Sequence, residues 1–114
     1  MTDKIVVLVT CGSKNEARRI AEALVERRLA ACVQEMGGSV RSTYRWKGKI
    51  ESATEFVLVI KTARKRFSAV SKLVKELHSY EVPEIIALNV ADGSREYLKW
   101  IADSLAASPR APRR

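Results

Sequence analysis

A mixed α+β fold, ordered β-α-β-β-α-β with one more helix at the C-terminus, is predicted by three features of this 114-residue chain. Residues 5–9 form a continuous, largely β-branched apolar run, as expected for a strand buried on both faces. Ala17, Ile20, Ala21, Leu24 and Val25 recur at helical spacing, with Arg18, Arg19, Glu22 and Glu26 on the opposite side. From Val40 the pattern changes to strict alternation, and Lys47-Gly48-Lys49 supplies a hairpin turn.

The elements follow in order. Ser13-Lys-Asn-Glu16 is a capping-box pattern that starts the first helix. Residues 30–36 are apolar at first and run into Gly37-Gly38, a bend or bulge signal. Val40, Ser42, Tyr44 and Trp46 then face one way, and Arg41, Thr43 and Arg45 the other. The returning strand covers about residues 51–62, so the two strands make a hairpin longer than a small core needs. Surplus strand length leaves open edges, which a second subunit can pair with.

Phe67, Val70, Val74 and Leu77 mark the second helix, which ends near His78. Pro83 cannot continue it, and residues 85–90 read as the last strand. Asp92-Gly93-Ser94 sets the next boundary, and Leu98, Ile101 and Leu105 give a final helix its stripe. The pattern matches a ferredoxin-like sandwich, an antiparallel sheet with helices on one face. Residues 1–108 are expected to form one domain, and residues 109–114 a basic, disordered tail.

Composition narrows the function. The charge of +8 invites a nucleic-acid reading, but Arg110, Arg113 and Arg114 of the tail supply three of the 21 basic side chains. The others are spread and mixed with Glu, and only 6% of residues are aromatic, so nucleic acid is not expected as a partner. No apolar run is long enough for a bilayer, and the N-terminal segment reads as a strand and not a signal peptide. Two cysteines, Cys11 and Cys32, define no disulfide framework, and a reduced cytoplasmic location is expected.

Chemistry concentrates in His78-Ser-Tyr-Glu-Val-Pro-Glu84, on the connection from a helix to a strand. His78 with Glu81 or Glu84 offers N and O ligands suited to copper or zinc. The plainer reading is that His78 caps the helix C-terminus and Pro83 shapes the turn. Cys11, just before a helix N-terminus, is placed to have a lowered pKa and act as a thiolate ligand, whereas Cys32 reads as a core thiol. No C-x-x-C, Gly-rich phosphate loop, G-x-S-x-G or H-E-x-x-H is present, so no enzyme is expected. Tyr44 and Trp46 on one strand face are expected to pack against a partner.

Several blocks carry a resemblance: Leu29-Ala-Ala-Cys-Val33, Tyr44-Arg-Trp-Lys-Gly-Lys-Ile50, Ile60-Lys-Thr62, His78-Ser-Tyr-Glu-Val-Pro-Glu-Ile85 and Tyr97-Leu-Lys-Trp100. Their order and spacing resemble the CutA divalent-ion (copper) tolerance proteins over nearly the whole chain. The resemblance implies a PII-like homotrimer built through the long hairpin, with copper or another divalent cation weakly bound and no organic cofactor. By position it implies a cleft between subunits lined or flanked by Tyr44, Trp46, Lys61, Thr62, His78, Tyr80, Glu81 and Glu84. His78, Cys11, Glu81 and Glu84 are the metal candidates. Where the family's motif has proline, this chain has Ser79 and Asn89, and the family's ligand cysteine falls near Val9, with Cys11 close by. A different class, a PII-like signalling or scaffold module, would bind a nucleotide or partner protein, with Lys61 meeting an anion.

Overall fold

One strand of fifteen residues organises the sheet. The computed structural model describes residues 2–106, and the expected tail at 109–114 lies outside them. In order the elements are β1 (Lys4–Cys11), α1 (Lys14–Glu26), β2 (Cys32–Glu35), β3 (Val40–Trp46), β4 (Lys49–Ala63), α2 (Phe67–Leu77), β5 (Ile85–Asn89) and α3 (Arg95–Leu105). The sheet runs β2-β4-β1-β5, all antiparallel, and β3 continues along the free half of β4. With β2 and β3 taken as one interrupted strand, this is the ferredoxin-like order. The expected second strand is therefore split, and residues 36–39, with Gly37 and Gly38, form the break.

The helix starts follow local chemistry. Ser13 Oγ accepts from the Glu16 N–H at 3.2 Å and Ser94 Oγ from Tyr97 N–H at 3.2 Å, each a side-chain N-cap. The capping box is only half made, because the Glu16 carboxylate turns elsewhere. At the hairpin, Lys47 and Gly48 both have positive φ, 50° and 82°, as a two-residue type I′ turn requires. Gly48→Val should cost about 1–2 kcal/mol, since a β-branched side chain is strained there; thermal unfolding checks it.

Strand alternation divides the sheet into two unlike faces. Ile5, Val7, Val9 and Cys11 of β1 lie level with Thr62, Ile60, Leu58 and Phe56 of β4. This face packs on Ile20 and Leu24 of α1 and Val70 and Val74 of α2, all fully buried. The other face carries Val6, Leu8, Val57, Val59, Ile86 and Leu88. Here α3 covers only one end, setting Ile101 and Leu105 against Ala31 and Ala63. Arg28 and Arg66 donate to the Ser104 and Leu105 carbonyls and hold the last turn of α3 in place. Beyond α3, Ile86 and Leu88 beside Val6 and Leu8 leave an apolar patch on that face, with Ile86 49% and Leu88 51% exposed.

Candidate functional site

The C-terminal end of β1, the first turn of α1 and the connection from α2 to β5 meet at one corner. His78 ends α2 with extended backbone, and its ring turns toward β1 instead of capping the helix with its side chain. Nε2 lies 2.7 Å from the Thr10 carbonyl oxygen, and Nδ1 accepts from the Tyr80 N–H at 3.0 Å. A carbonyl only accepts and an amide N–H only donates, so the proton sits on Nε2. Both ring nitrogens are thereby engaged.

Glu16 fixes the same connection from the helix side. It is 6% exposed, and its two oxygens accept from the Ser79 N–H at 2.5 Å and the Ser79 hydroxyl at 3.1 Å. Proline at position 79 would remove both donors. Glu16 Oε1 also stands 3.7 Å from His78 Nδ1. Cys11 completes the corner, its sulfur within 4.8 Å of ligand atoms of Glu16 and His78. Burial pushes the Cys11 thiol up to about 12, and the charges of Glu16 and Glu55 add to the effect. The lowered pKa expected from the nearby helix N-terminus is therefore reversed.

Beside this corner, the 79–84 connection and the β3–β4 hairpin enclose a cleft of about 600 Å³. Tyr44, Trp46, Glu51 and Glu55 of the hairpin line it, opposite Tyr80, Glu81 and Glu84. No lysine or arginine is among its lining residues, although the chain is strongly basic. Burial and a hydrogen bond to Glu55 push the Tyr80 hydroxyl up to about 12. Since that bond favours the protonated phenol, Tyr80 donates and the Glu55 carboxylate accepts.

The residues singled out in the sequence fall into three places. Cys11 and His78 are brought together in the buried corner, joined by Glu16. Glu81, Glu84, Tyr44, Trp46 and Tyr80 share the cleft. Lys61 and Thr62 stand outside it. Thr62 is fully buried and donates to the Leu29 carbonyl at 2.6 Å, while Lys61 reaches Gln34 at 2.9 Å and lies over the Tyr97 ring. Sequence reasoning missed Glu16, which read as a cap, and Glu51 and Glu55, which read as strand filler. Their signal was register: Glu51 lies directly across from Tyr44 and Glu55 across from Val40.

The buried corner is not ready-made for a metal. A cation at Nδ1 must displace the Tyr80 N–H, Glu16 already serves Ser79, and the thiol holds its proton. The cleft carboxylates are a hard oxygen set of the kind that suits divalent cations which keep part of their water shell.

Sheet order and helix placement define a ferredoxin-like α+β subunit. Within that class, the chain belongs to the family described as CutA1 divalent ion tolerance protein, which matches residues 5–104. It is 48% identical over 99 residues to the divalent-cation tolerance protein CutA of Thermus thermophilus, covering 87% of this chain and 95% of that one. It superposes on the periplasmic divalent cation tolerance protein CutA of Archaeoglobus fulgidus with a TM-score of 0.87 at 40% identity, covering 90% and 99% of the two chains. A chloroplastic CutA of Arabidopsis thaliana is 39% identical over 100 residues, 88% of this chain but 54% of that longer relative. The family and its Thermus and Archaeoglobus members are named for tolerance of divalent ions or cations. Among the described residues, no helix is long and apolar enough to cross a membrane.

Proposed function

We propose that this chain serves divalent-cation tolerance without catalysis, as a cytoplasmic homotrimer of one-domain subunits holding a divalent cation or small ligand in its clefts. The observation that carries this reading is the cleft itself: carboxylates from the hairpin face carboxylates from the 79–84 connection, and no basic side chain lines it. A basic protein that collects acidic groups in one concavity presents a cation site. The same charge argues against a nucleotide polyphosphate there. The trimer is supported by the exposed apolar patch on the sheet and by the hairpin, which stretches the subunit to 48 × 27 × 25 Å.

Glu81 and Glu84 would hold a hard cation, with Glu51 and Glu55 across the cleft. Copper, with its preference for nitrogen and sulfur, would be drawn to Cys11 and His78, but only by breaking the Tyr80 bond. Crystals soaked in Mn(II) or Cu(II) and read by anomalous scattering test this. A peak within coordination distance of Glu81 or Glu84 is expected. A peak at Cys11 and His78 alone would move the site inward, and no ordered ion at either place would remove the metal from the proposal.

A further inference from the structure

Three features of the cleft separate one kind of cation from another. The first is spacing. Among the described residues, the only three Cys, His, Asp or Glu side chains close enough to share one ion are Cys11, Glu16 and His78, none of them a lining residue of the cleft. No three of the cleft carboxylates lie that close together, so a single ion there meets at most two of them and leaves the others to a second charge. The second is Glu55, which is 6% exposed and carries no ion pair among the described residues. Tyr80 gives it one phenolic proton, while a carboxylate has about four acceptor positions. A buried carboxylate with no counter-charge is costly, and it faces the cleft. The third is aromatic: Tyr44, 41% exposed, and Trp46, which already carries the Lys47 ammonium 5.8 Å from its ring centre, set rings in the same wall, where an aliphatic stem can lie against them.

We propose that the cleft binds a linear aliphatic polyamine, whose separated ammonium groups match separated carboxylates and whose methylenes lie on the Tyr44 and Trp46 rings. One ammonium reaches Glu55, where three N–H donors meet its unfilled acceptor positions. The others meet Glu81 and Glu84 on the far wall. A volume of about 600 Å³ accepts such a chain with room to spare. This inference rests on the reading of the cleft as the ligand site, and it names the ligand's class.

Titration calorimetry of the intact assembly with spermidine, against MgCl₂ and NaCl at matched ionic strength, is the test. Saturable spermidine binding is expected, with neither salt reproducing it. Glu55→Gln should weaken it about tenfold or more, through loss of a charge-assisted contact. Glu84→Gln, at a more accessible position, should weaken it in the same direction. Trp46→Leu should weaken it about twofold to fivefold, the loss of a methylene–ring contact. Sedimentation of each variant with the wild type shows that its assembly is intact. Spermidine heats matched by MgCl₂, or affinity unchanged in both Glu55→Gln and Glu84→Gln, would overturn the proposal. Mn(II) titrated into the same samples keeps the two failures apart. Binding of Mn(II) without spermidine sinks the polyamine and spares the cleft, whereas binding of neither sinks both.

Discussion

Alkylation of Cys11 by iodoacetamide in the native protein at pH 8 is expected to run about a thousandfold slower than in the unfolded chain. The thiolate is the reacting form, and its fraction at pH 8 falls with each unit by which the pKa rises. Cys11 goes from an ordinary 9.0 to about 12, chiefly because it is fully buried at the end of β1. Burial also blocks the reagent, so the ratio is a lower limit. Mass spectrometry of quenched samples reads Cys11 separately from Cys32, which is only partly buried. A native Cys11 that reacts at the unfolded rate would mean that this corner is open or that the thiol is ionised. The sign of the pH effect on stability follows. A pKa raised by folding means the native state holds its proton more tightly. The stabilisation is whole below pH 9 and is lost between 9 and 12, with Tyr80 adding to the loss above 10.

Leu88→Glu is expected to convert the wild-type assembly into single subunits. In the subunit alone Leu88 is 51% exposed, and such a surface change costs little, within about 0.5 kcal/mol. In a trimer that covers the sheet face, the same carboxylate would be buried among Val6, Leu8, Ile86 and their symmetry mates. Burying an unpaired charge costs several kcal/mol at each of three copies. Sedimentation at low micromolar concentration should show the wild type at three times 12.7 kDa and the variant at 12.7 kDa. A variant that stays assembled would show that this face is not the interface. A wild type that sediments as a monomer would defeat the trimer itself.

The fold was legible because its signals are local. Ser13 and Ser94 cap helices, Lys47-Gly48 forces a tight turn, and residues 40–46 alternate, so each element announces its own type. The break after β2 was visible as Gly37-Gly38 but not as a split strand, because splitting depends on which part of β4 each half pairs with. The site was only partly legible. His78 stood out as the lone imidazole, yet its two hydrogen bonds go to Thr10 and Tyr80, and the first is 68 residues away. Glu16 read as half of a capping box, since nothing in a string shows that its carboxylate will meet Ser79. The expectation for Cys11 failed for the same reason. A helix N-terminus is a sequence feature, whereas full burial beside two carboxylates is a tertiary one.

The β4 strand is continuous as covalent chain but not as a unit of stability. From 56 to 63 it has β1 on one side, with β2 on the other for part of the way; from 49 to 55 it has only β3. In the single chain, amide hydrogens of the first stretch are expected to exchange only when the core opens, and those of the second whenever the arm frays. The boundary falls at Glu55 and Phe56, one residue aimed at the cleft and the next at the core. Whatever occupies the cleft therefore touches both cooperative units at once. A ligand held there would couple its own occupancy to the ordering of the arm.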